Sequence, residues 1–144
     1  MLDEELFNQL KQVVDVILIE ADGSKHLPLK YPNMNEPVLD SDTDEVVLIS
    51  NLNGLNQPVK DVVHRYKLAN LDPNELVTPR IMQDLIRAYL KKLNKPVKIH
   101  VNGAMDLYTR CVRVLLEENV DVNIIQKEWF NMQPKPVSYT HLRA

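Results

Sequence analysis

Two near-continuous apolar runs, VVDVILIE at 13–20 and EVVLIS at 45–50, most constrain how this chain folds. Apolar and β-branched residues at almost every position suit a strand covered on both faces, whereas a strand with one wet face alternates. Both runs therefore predict parallel strands sandwiched by helices. The first run ends unusually, because Glu20 and Asp22 flank Ala21 and Gly23 follows at once. Two acids that far apart on an extended chain face the same side, where a cation or a lysine would serve both. The alternative is a pair of solvated acids at a strand terminus.

Around these runs the periodicity is helical. Leu2, Leu6 and Leu10, with Phe7 beside them, predict a helix over 3–12. In TPRIMQDLIRAYLKKLNKP, Thr78 is placed to cap and Pro79 suits a first turn. Ile81, Leu85, Ile86, Tyr89, Leu90 and Leu93 then keep an apolar stripe until Pro96. VKIHVNG reads as a strand, 106–118 as a helix with Leu107, Cys111, Val114 and Leu115 inward, and VDVNIIQ as a last strand. Alternating strands and helices predict a three-layer α/β domain with a mostly parallel sheet, over residues 1–130. The segment between the first two runs carries Pro28, Pro32 and Pro37 and is too proline-broken for a helix. A loop of that length invites a functional role.

Composition removes several function classes. A net charge of -3 and a pI near 5.8 give no overall pull toward nucleic acid or an anionic membrane. No apolar run is long enough to span a bilayer, and the acidic start does not read as a signal peptide. Cys111 is the single cysteine, so no intramolecular disulfide forms, and the expectation is a cytoplasmic protein. Cys111 is read as core, and His26 and His100 lack partners at zinc-ligand spacing. The three glycines, Gly23, Gly54 and Gly103, stand alone. A Walker loop needs several together, with a lysine beside Ser or Thr, to wrap phosphates in backbone amides. As it stands, the chain does not read as a complete NTPase.

The segment IEADGSKHLPLKYPNMNEPVL resembles the signature of the selenium-dependent hydroxylase accessory proteins of the YqeC-like family, E-A-D-G-[SA], then P-L-K, a proline, and E-P-V. NLNGLNQPVKDVVHR is similar to the family's second-strand segment, and HVNGAMD to its asparagine-containing strand end. The resemblance spans roughly residues 10–125. It implies a P-loop-NTPase-like fold whose first strand and glycine-rich loop lie upstream of this chain, so that Met1 is an internal methionine. It further implies magnesium and a nucleoside triphosphate as cofactors of the longer protein, with neither held tightly by these residues alone. Asp22, supported by Glu20, falls on the family's acidic pair and is the implied magnesium-linked carboxylate. Lys25 and Lys30 fall on basic loop positions that would neutralise a phosphate, Glu36 closes the signature, and His64 and Arg65 match a His-Arg pair. Asn102 matches an asparagine that contacts a base, although Gly103 and Ala104 replace the polar follower.

The implied function is a nucleotide-binding accessory or maturation factor for selenium-dependent molybdenum hydroxylases, with such an enzyme or its maturation proteins as partner. Two alternatives stand beside it. One is a magnesium-dependent NTPase or transferase acting on molybdenum cofactor or selenium species, and the other is a protein-interaction domain without a ligand site.

Residues 131–144 form an aperiodic tail, and 137–144 resemble the read-through of a sequencing adapter. Deleting Val137 to Ala144 is expected to leave the urea midpoint unchanged. A loss above about 1 kcal/mol in that titration would mean that the tail packs.

Overall fold

A computed structural model describes residues 3–124. In chain order the elements are α1 (Glu4–Val13), β1 (Leu29–Lys30), β2 (Val46–Asn51), a 3-10 turn (Leu52–Gly54), α2 (Val59–Val62), β3 (Val63–His64), α3 (Pro79–Leu90), β4 (Val97–Asn102) and α4 (Leu107–Glu117). Among the described residues the strands pair in parallel, β1 with β3 and β2 with β4, in two separate two-stranded sheets, and an isolated antiparallel bridge joins Pro58 to Leu76. The α/β class and parallel pairing expected from the sequence are present. Among the described residues the three layers are not.

The β2–β4 register runs unbroken from Val46 opposite Val97 to Asn51 opposite Asn102. Leu48, Ile99 and Val101 pack into the core, with α3 against β2 and α4 against β4. On the opposite face Val47, Ile49, Lys98 and His100 are exposed. Among the described residues helices therefore cover one face of this sheet, giving two layers. α1 does not cover the other, since none of its residues is buried.

The run at 13–20 corrects the first expectation. It forms no strand, and Leu18 is 91% exposed with Val13, Val16 and Ile19 also open. Periodicity reports that a segment is suited to burial, but a strand also needs a neighbour for its backbone groups. The run pairs with neither edge of the β2–β4 sheet. The proline-broken loop instead contributes β1, which pairs with β3 where no strand was expected.

α3 follows its sequence signals. Thr78 caps it by accepting from Ile81 N at 3.2 Å, Pro79 opens it, and Ile81, Met82, Leu85, Ile86 and Tyr89 are buried. α4 turns a different stripe inward from the one expected. Val112 and Leu116 are buried, with Tyr108 and Leu115 against the core, while Leu107, Val114 and Cys111 are exposed. Two apolar stripes lie about one residue apart on this helix, and the one holding Leu116 and Val112 faces β4. Cys111 is thus not a core residue.

The last expected strand is also absent over 120–124, and its remainder lies outside the described residues. Its backbone is taken by a side chain: Gln83 of α3 donates to Val120 O at 2.6 Å and accepts from Val122 N at 3.3 Å. Gly54, just past β2, joins the two sheets. A Cβ there would stand 2.7 Å from Leu29 Cδ1, so the turn after β2 seats directly on β1.

No helix among the described residues is long and apolar enough to cross a membrane.

Gly103 ends β4 with φ at +87°, and a Cβ on it would meet Asn51 Oδ1 at 2.8 Å and Asn53 Oδ1 at 2.9 Å. Gly103→Ala is expected to cost about 1–3 kcal/mol in chemical denaturation. Gly23→Ala, with nothing within 4 Å of its Cβ position, serves as the near-neutral comparison.

Candidate functional site

β1 and β3 are short, but their parallel pairing sets Lys30 beside His64 in register, with Arg65 next along the chain. The carboxyl end of this strand pair therefore gathers two cations and an imidazole. Ligands of parallel α/β proteins bind at that end of the strands. The side chain of Lys30 is only 6% exposed, so its ammonium depends on what the fold supplies.

The fold supplies three acceptors for three N–H groups. Lys30 Nζ donates to Asp22 Oδ1, to Gly23 O at 2.8 Å and to Glu36 Oε2 at 2.8 Å. Asp22 Oδ2 in turn accepts from the Tyr89 hydroxyl on α3. Tyr89 is pushed well above the ordinary phenol range, first by burial and then by the charge of Glu36, so it stays a donor.

Glu36 Oε2 is the second hub. Besides Lys30 it accepts from Arg65 Nη1 and from Asn33 N at 3.2 Å. Burial pushes this carboxyl up, but hydrogen bonds from Arg65, Lys30 and Asn33 outweigh it and hold the group at about 2. Lys92, one turn beyond Tyr89, reaches across to the same turn and donates to Asn33 O, to Met34 O at 3.2 Å and to Glu36 O at 3.5 Å. α3 and the turn that follows it thus fix both ends of the loop, through Tyr89 and Lys92.

His64 is half-buried, and its pKa lies below the ordinary imidazole value, first through burial and then through Arg65, Lys25 and Lys30. It is neutral at neutral pH, a donor and an acceptor at once. Backbone geometry marks the same corner. Lys25, His26 and Arg65 have φ of 53°, 64° and 62°, in the left-handed region that ordinary residues avoid. The first two are the central residues of a tight turn closed by Leu27 N donating to Ser24 O at 3.1 Å.

Of the residues singled out in the sequence, Asp22, Lys30, Glu36 and Arg65 form one connected cluster, with His64 and Lys25 at its side. Glu20 is exposed and outside it. Asn102 ends the other sheet, across from Asn51. The acid pair expected to share a cation is split, and Asp22 takes a lysine. With both its oxygens committed to Lys30 and Tyr89, and no cluster of three His, Cys, Asp or Glu suited to a metal among the described residues, these residues do not by themselves fit magnesium.

Tyr89, Lys92 and Asn33 were not singled out. Tyr89 belongs to the apolar stripe of α3, and the signal it offers in the sequence is its hydroxyl, which needs a partner when buried. Nothing in the sequence marks Lys92 or Asn33.

Residues 1–67 match the family model described as YqeC protein. The match takes in the whole cluster contributed by 22–36 and 64–65, and it ends before α3 and Asn102. Comparison with curated proteins and with solved structures returned no match.

The Glu36 pKa yields a pH prediction. It lies below the ordinary 4.5, so Glu36 stabilises the fold above about pH 4.5, and that stability is lost as pH falls through about 2. Allowing for solvent screening of a partly open carboxylate, the loss is about 1–2 kcal/mol. Unfolding free energy measured at stepped pH should flatten over this window in Glu36→Gln.

Proposed function

We propose, from the premise that this is a YqeC-like protein over residues 1–67, that it is the ligand-holding part of a nucleotide-binding accessory factor. The clients are selenium-dependent molybdenum hydroxylases or the proteins that mature them. One observation carries the ligand half of this reading. At the carboxyl end of the β1–β3 pair Lys30 and Arg65 hold Glu36 and Lys30 holds Asp22, while Lys92 binds the carbonyls of the Asn33–Glu36 turn and Lys25 acts on His64, so four cations stand against two carboxylates. An excess of positive charge at that edge of a parallel sheet suits a phosphate-bearing ligand.

The roles divide by exposure. Lys30 is buried with its three N–H groups used, so it holds the loop in shape and meets a ligand only where that ligand replaces one of its acceptors. Arg65 and Lys25 are open enough to reach a phosphate, Arg65 through a planar fork that matches two of its oxygens. His64 is neutral beside them and donates to or accepts from the same ligand without adding charge. Asp22 is a positioning residue, since it acts through Lys30 and Tyr89.

Residues 1–144 alone are expected to bind ATP or GTP weakly or undetectably, because the described cluster offers no glycine-rich wrap for the phosphate chain. In a protein carrying such a loop ahead of this segment, Arg65→Ala and Lys25→Ala should each weaken nucleotide binding about tenfold or more in calorimetry. Arg80→Ala, which removes a cation paired with Asp84 on the exposed side of α3, should not. Equal affinities for wild type and Arg65→Ala would sink the reading.

A further inference from the structure

Glu36 Oε2 sits where an oxyanion would be held. One carboxylate oxygen receives a buried ammonium, a guanidinium and a backbone N–H, which is the donor set used to grip phosphate, sulfate or carboxylate. We infer that Lys30 Nζ, Arg65 Nη1 and Asn33 N form an oxyanion cradle that the chain fills with its own Glu36, and that an incoming phosphate or carboxylate ligand enters by displacing it. The inference deepens the nucleotide reading by adding an autoinhibitory contact, and rests on the same Arg65. It requires only an oxyanion, whatever that oxyanion is attached to.

The two ends of the cluster differ in a way that makes exchange feasible at one and not the other. Asp22 is 13% exposed and shares its oxygens between Lys30 and Tyr89, so it is closed in. Glu36 and Arg65 are 21% and 27% exposed and face water from one side. When Glu36 leaves, Lys30 keeps Asp22 and Gly23 O and is never an orphan charge. Arg65 loses its partner, and that guanidinium is what a ligand then meets. A doubly charged phosphate competes well for a cradle of two cations held by a singly charged carboxylate. Glu36 also ends a turn that Lys92 pins by its carbonyls, so the backbone there keeps its hold when the side chain is displaced.

The test is chemical rescue. Glu36→Ala empties the cradle and should lower the unfolding midpoint by roughly 5 °C or more. Sodium formate or inorganic phosphate at tens of millimolar, with chloride at equal ionic strength as the control, should restore most of that shift. In Glu36→Ala/Arg65→Ala neither anion should restore it. Should Glu36→Ala fail to fold, Glu36→Gln keeps the shape without the charge. Calorimetric titration of that variant with inorganic phosphate should give at least tenfold tighter binding than wild type.

Rescue by chloride to the same extent, rescue that survives loss of Arg65, or equal phosphate affinity in Glu36→Gln and wild type would each overturn the inference. Formate and phosphate rescue in a protein that binds no nucleotide would keep the cradle and remove the nucleotide reading. The two claims fail separately.

Discussion

Everything at the candidate site depends on one ammonium held out of water. A lysine head group that buried is tolerated only when its charge is balanced and its three N–H groups are all used. Lys30 meets both conditions through Asp22, Gly23 O and Glu36. Those partners come from both ends of the irregular stretch from 22 to 36, so a single side chain closes a loop that has little regular structure of its own. The acids at the end of the first apolar run are thereby explained in part: Asp22 is a counter-ion fixed in place, and Glu20 is left in solvent.

Because the cluster alternates in sign from Asp22 through Lys30 and Glu36 to Arg65, a change at one member reaches the others through charge. The same low-dielectric setting that strengthens the inner pair makes its loss costly, whereas the outer pair is screened. A gradient of commitment results, rigid next to α3 and yielding toward Arg65. Such an arrangement joins a stable scaffold to a responsive edge without a moving domain. Of the three residues with left-handed backbone, Arg65 sits at the yielding end, where strain is commonly kept in working proteins.

How much of this was legible in the sequence varied with the kind of signal. Helix α3 was marked by a cap, a proline and a stripe, all local, and the structure follows them. β2 and β4 were marked by composition and also form. The run at 13–20 had the strongest composition of all and forms no strand, because pairing is a property of two segments and composition describes one. Helix α4 carried two candidate stripes, and only the shape of the sheet beneath could choose between them. At the site, the charged members were legible by type and by family signature. Tyr89 and Lys92 were not, since they arrive from α3 and the turn after it, more than fifty positions away from their partners in the chain.

Gln83 shows the same limit in another form. It lies among Met82, Leu85 and Ile86 on an inward helical face, where an apolar residue would be the ordinary choice. Its carboxamide copies a peptide group, with one donor and one acceptor offered to Val120 O and Val122 N. Glutamate would set a carboxylate against a carbonyl, leucine would leave two backbone groups unmet, and asparagine is a methylene too short. The position is therefore narrow in sequence space for a reason unrelated to ligand or chemistry. Among relatives of this chain a fixed glutamine there would record how the segment after α4 is moored, and should not be counted as a mark of function.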